Sequence, residues 1–268
     1  MKTSMTGGGG LPSKLSTFIM LLMVSMSVLS VDNSIYIDQA GDGATINVTQ
    51  DGAGNRVRGI QGVGTGNTTP AKINGDNVQV DISQVGANNT LNLGIVTDTA
   101  NGSSPTSVNY SVTGGNNTGT INLNNSGTGT NSSSAIDITQ TGGSSTTNVS
   151  MLGSNNSLTA NQSGGSAQLI STVDASNTTQ TINTSGGTDN RVTTNLTGDK
   201  GTVVVDMIGA SNHATITQDG GGTAGHYAKL DVNGSNNTYS VNQSGTIDTT
   251  VNIKTVGSGN TFGIVTKN

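Results

Sequence analysis

Cysteine and tryptophan are absent from this 268-residue chain, which holds only 3 prolines, 2 phenylalanines and 4 tyrosines. Without cysteine there can be no disulfide framework and no thiol chemistry. Hydrophobic residues amount to 30% and aromatics to 2%, which argues against an ordinary globular core. Charge is scarce as well: 9% of residues are ionic, with a formal net charge of −5. Nucleic-acid backbones need clustered Lys and Arg, so nucleic acid is not an expected partner. The one local basic pair, Arg56 and Arg58, reads as an exposed strand face. The two histidines, His213 and His226, have no carboxylate pair or metal-ligand spacing beside them and read as a solvated strand face and a loop. The acidic residues are scattered, unlike the clustered carboxylates of polysaccharide-cleaving helices. Asp51-Gly and Asp219-Gly-Gly lack the nonapeptide offsets of calcium-binding repeats. No enzymatic activity, metal or cofactor is therefore expected.

The chain does have a phrase that returns. Residues 33–39 (NSIYIDQ), 44–50 (ATINVTQ), 55–61 (NRVRGIQ), 78–84 (VQVDISQ), 134–140 (SAIDITQ), 156–162 (NSLTANQ), 212–218 (NHATITQ) and 237–243 (NTYSVNQ) all close on glutamine. First residue and Gln lie six apart, so on a strand they share a face with the two mostly apolar residues between them. Ile46 and Val48, Ile136 and Ile138, and Ala214 and Ile216 are such pairs, and the opposite face is polar. Low hydrophobicity with many Asn, Thr, Ser and Gly can signal disorder, but disorder has no reason to keep a period. Glycine and asparagine runs such as 86–89 (GANN), 114–117 (GGNN) and 234–237 (GSNN) punctuate the phrases, and both residues reach left-handed backbone angles cheaply. Between them lies a second strand family without glutamine, carried by Val108, Tyr110 and Val112, by Val203, Val205 and Met207, and by Ala228, Leu230 and Val232.

A strand–turn–strand unit cannot bury its apolar face alone, whereas units stacked ~4.8 Å apart can. An all-β fold follows: a β-solenoid of two-stranded coils with inward Asn/Gln ladders. At about eleven residues per strand and turn, residues 31–268 hold roughly nineteen to twenty-two strands, or roughly ten coils. Residues 62–72 and 97–107 read as loop insertions, and residues 177–212 as three strands. A buried amide is costly unless paired, but in a stack each can donate to its counterpart one coil away. Residues 1–30 stand apart. Lys2 and Lys14 precede an apolar run over 18–24, which resembles a secretory signal peptide cleaved after Ser30. The rival is a short uncleaved helix that anchors the chain in a membrane or packs into a larger particle.

The phrase Asn/Ser-x-apolar-x-apolar-x-Gln, followed by Gly-x-Gly/Asn-Asn, resembles the curlin repeat of curli fibre subunits, which are secreted bacterial proteins. The resemblance implies an inward glutamine column of Gln39, Gln50, Gln61, Gln84, Gln140, Gln162, Gln218 and Gln243. It also implies a paired column of Asn33, Asn55, Asn156, Asn212 and Asn237. Strands such as 149–151 and 203–207 lack the second amide, and there are more repeats than in the familiar subunits. The expected role is an extracellular amyloid-like fibre subunit whose partner is a second copy or a fellow subunit. Phe262 and Ile264, on the inferred inward face with Asn260, form its self-association edge. A surface for host or abiotic contacts is a further expectation, and the alternative is the rod of a virion or adhesin. An ice-binding Thr-x-Thr face is disfavoured, because Thr215-x-Thr217 becomes Ser240-x-Asn242 in the next such strand.

Overall fold

A computed structural model of the chain describes residues 24–26, 33–59, 69–97, 106–125, 133–174, 177–198, 200–220, 225–245 and 249–267. Among them are 22 strands and no helix, arranged in one ten-stranded and one twelve-stranded sheet. The first sheet runs from Val24–Met26 to Thr250–Val256, and the second from Ser34–Tyr36 to Thr261–Thr266. From Gln79–Val85 onward the chain alternates between the sheets, strand by strand, so sheet neighbours are two strands apart in sequence. All the pairings are parallel, as for Thr106–Thr113 beside Ser134–Gly142 beside Asn156–Gly164. Two rungs of the second sheet are split, Ser34–Tyr36 with Asp38–Ala40 and Arg56–Arg58 with Ala71–Asn74, so each sheet has ten rungs and the rod ten coils. The described residues thus form a β-solenoid. Three strands lie between 177 and 212, as the sequence indicated: Thr179–Thr188, Arg191–Thr197 and Thr202–Ala210. The two expected insertions fall largely outside the described residues.

Alternation fixes the inside. Thr106–Thr113 and Ser145–Leu152 bury every second residue, placing Val108, Tyr110, Val112, Val149 and Met151 in a core only one side chain deep from each sheet. Such a core must be filled by complementary sizes. Tyr110, with Tyr239 one of the two bulkiest buried side chains, faces Gly119 across the coil, where even a β-carbon would stand 3.0 Å from its ring. The Tyr110 hydroxyl donates to Gln84 Oε1 at 3.1 Å, and burial holds the phenol above its ordinary pKa. The outer faces carry Thr, Asn, Ser and a few charges. Lys229–Asp206 and Lys254–Asp231 are ion pairs between successive coils, exposed enough to contribute little. His226 departs from expectation: it is 3% exposed, at the interior start of a first-sheet strand, with its ring against Gly220. His213 lies on the outer face of the second sheet, half-buried.

Candidate functional site

The interior amides lie at the two edges of the flat coil, where strands end and turns begin. Glutamines were expected in one column, and that expectation is corrected. Gln50, Gln84, Gln140 and Gln162 belong to the first sheet, Gln218 and Gln243 to the second. They form three separate contacts rather than a ladder. Gln84 donates to Gln50 at 2.8 Å, Gln162 to Gln140 at 2.5 Å and Gln243 to Gln218 at 2.8 Å. Val112 stands in register between Gln84 and Gln140, and Thr184 follows Gln162. Gln39 is half-buried beside Ile73 and donates to the Ala40 carbonyl. Gln61 lies outside the described residues.

A strand-end glutamine can sit on either sheet because its work is local. Gln84 and Gln50 donate across the turn to the carbonyls of Thr90 and Arg56, at the start of second-sheet strands. Gln243 and Gln218 do the same at the other edge, to Thr250 and Tyr227, at the start of first-sheet strands. Each edge offers equivalent carbonyls, so a strand-end glutamine can bond in the same way on either; Gln140 and Gln162 instead donate to Thr147 Oγ1 and to Gln140 Oε1.

The asparagines form the longer column. In the second sheet the register stacks Asn33, Asn55, Asn89 and Asn117, then, after Ser145 and Ala167, Asn190, Asn212, Asn237 and Asn260. Asn89 and Asn117 read in the sequence only as turn residues, Asn260 reads as inward-facing, and Asn190 is not singled out. The missed signal was positional: the last Asn of each glycine-led turn is the buried one. Asn55, Asn89 and Asn117 each return a side-chain N–H to the carbonyl of the glycine three residues earlier, at 2.9, 2.9 and 3.0 Å. In the C-terminal half of the column the side-chain oxygen accepts a backbone N–H from the previous coil, Asn212 donating to Asn237 at 2.8 Å and Asn237 to Asn260 at 3.1 Å. Asn190 does both, donating to the Gly186 carbonyl at 2.9 Å and accepting from the Ala167 N–H at 3.0 Å, so it closes its own turn and fastens it to the previous coil. Asn33, at the first coil, donates to Asn55 Oδ1 and to the Asp51 carbonyl, both at 3.1 Å.

Asn156 does not belong to this column. It starts a first-sheet strand beside Ser134, and neither of its amide atoms is hydrogen-bonded. Its burial without partners gives a testable contrast. Asn237→Ala removes the acceptor for the Asn212 N–H and should cost about 1–3 kcal/mol. Asn156→Ala removes an unpaired group and should be near neutral. Thermal unfolding of the two variants side by side checks this; equal losses would contradict the assignment of the column.

At the C-terminal end the described residues finish on an open coil. Phe262 and Ile264 continue the inward columns above Tyr239 and Val241, but stand 59% and 47% exposed. Their buried counterparts one coil earlier are 2% and 1% exposed. Among the described residues there is no group of three or more His, Cys, Asp or Glu able to hold a metal, and no helix long and apolar enough to cross a membrane. Comparison with protein-family models, characterised proteins and solved structures finds no match to this chain.

Proposed function

We propose that this protein is a structural, curlin-like subunit of a secreted, extracellular amyloid-like fibre, of the kind that serves surface adhesion or a biofilm matrix. The observation that carries the reading is the open coil over residues 249–267. Among the described residues it offers an apolar face of Val251, Ile253, Phe262 and Ile264 and a backbone edge with no strand beside it on both sheets. The edge is in register with nine coils below it, and exposed edges of that kind template further strands. The cross-section that fits it is another coil of the same width, which a second copy supplies. The polar Thr/Asn/Ser outer faces suit contact with hydrated surfaces.

The purified 268-residue chain should form thioflavin-positive fibres with a meridional reflection at ~4.8 Å. Ile264→Lys, which puts a charge on the open face, should slow growth several-fold while disturbing only the last rung. A chain that remains monomeric for days at high concentration would overturn the fibre reading in favour of a rod in a virion or an adhesin stalk.

A further inference from the structure

The strand Val24–Met26 bears on how two copies could meet. It forms the first rung of the first sheet, parallel to Thr45–Asp51, with Val24 in register with Val48 and Met26 with Gln50. Its far edge has no strand beside it among the described residues. Ile46 and Val48, in the second rung, on which it lies, are 6% and 3% exposed, buried like the penultimate rung at the other end, where Ala228, Leu230 and Val232 are 1%, 1% and 0% exposed.

Counting rungs makes the strand decisive for a junction. With Val24–Met26 in place, both sheets begin on the same coil, and at the other end both finish on the same coil, with Thr250–Val256 and Thr261–Thr266. Among the described residues the two ends are then flush and can meet in both sheets at once. Without it, the second sheet begins one strand before the first. A copy docked through Ser34–Tyr36 would leave Thr45–Asp51 two strand spacings, ~9.6 Å, from the last first-sheet strand of its neighbour, beyond any backbone hydrogen bond.

We propose that Val24–Met26 is an assembly strand, the rung through which one copy's first sheet joins the last first-sheet strand of a second copy. The inference rests on the fibre reading and adds to it that residues 24–30 stay with the rod, so cleavage after Ser30 is excluded in the assembled form. Following the parallel register through the rod, Ser25 shares a column with Thr49, Ser83, Ser111 and, at the far end, Lys254. Ser25 of one copy therefore meets Lys254 of the next.

The absence of native cysteine makes a direct test possible. In the full chain carrying Ser25→Cys and Lys254→Cys, mild oxidation of assembled material should yield a reducible ladder of linked oligomers. Adjacent strands bring α-carbons within disulfide range. The control pair Ser25→Cys and Thr139→Cys, in the same column at mid-rod, should give none. The double variant Val24→Pro with Met26→Pro, which leaves an apolar segment but spoils its pairing, should cut the extent of assembly at least tenfold. Fibres that form normally without a disulfide between positions 25 and 254, or whose chains begin at Val31 by N-terminal sequencing, would overturn the assembly strand and leave the fibre reading intact. Failure of the unmodified chain to assemble at all would overturn both.

Discussion

Gly114→Ala should destabilise the middle coils by about 3 kcal/mol or more, while Gly115→Ala, one residue on, should be nearly neutral. Gly114 has φ +135°, a region closed to L side chains, and a β-carbon there would lie 1.7 Å from the carbonyl oxygen of Gly86 in the preceding coil. The obstacle is backbone, so no rotamer change relieves it. The same stacking recurs along the tight-turn edge: a β-carbon at Gly164 would meet Gly142 O at 1.8 Å, and one at Gly234 would meet Gly209 O at 1.7 Å. Successive turns approach too closely for any side chain, and a single alanine must push two coils apart. Gly115 has open space around it and no positive φ. Because a solenoid can open locally, the measurement is hydrogen exchange of the coils spanning 79–152, with a thermal melt alongside. Matching protection in the two variants would show that the turns do not stack in contact.

The period-2 alternation, the glycine-led turns and the count of strands were legible because each follows from spacing along the chain. Ile136, Ile138, Ala214 and Ile216 face inward as their positions in the phrase required. Partnerships between coils were less legible. Gln162 and Gln218 look equivalent in sequence, but one ends a first-sheet strand and the other a second-sheet strand. Which sheet a strand enters depends on how many strands precede it, and the phrase itself carries no such information. Asn156 and Asn237 likewise follow the same Gly-Ser-Asn turn, one on each edge, and only Asn237 finds the Asn260 oxygen above it. The glycines were read for their backbone angle alone. Their contact with the turn below is a property of the stack.

The second large effect expected is at Ile216. Ile216→Asp should cost about 4 kcal/mol or more at neutral pH, against about 0.5 kcal/mol or less for Thr215→Asp. Ile216 is 0% exposed, stacked in register between Thr194 and Val241, while Thr215 lies on the exposed outer face. The core is one side chain deep from each sheet, with no cation among the residues flanking this position in register, so the introduced carboxylate would be desolvated and unpaired. Desolvation disfavours its charged form and raises its pKa in the folded rod above the unfolded value of about 3.9. The folded state then binds the extra proton more tightly. Part of the loss should therefore be recovered as the pH falls toward 4, and the deficit should reach its full size above the folded pKa. Thr215→Asp, whose carboxylate remains in water, should show no such dependence. Melting both variants at pH 4 and pH 8 separates the cases: equal, pH-independent effects would place residue 216 outside the core and reverse the facing of the whole strand.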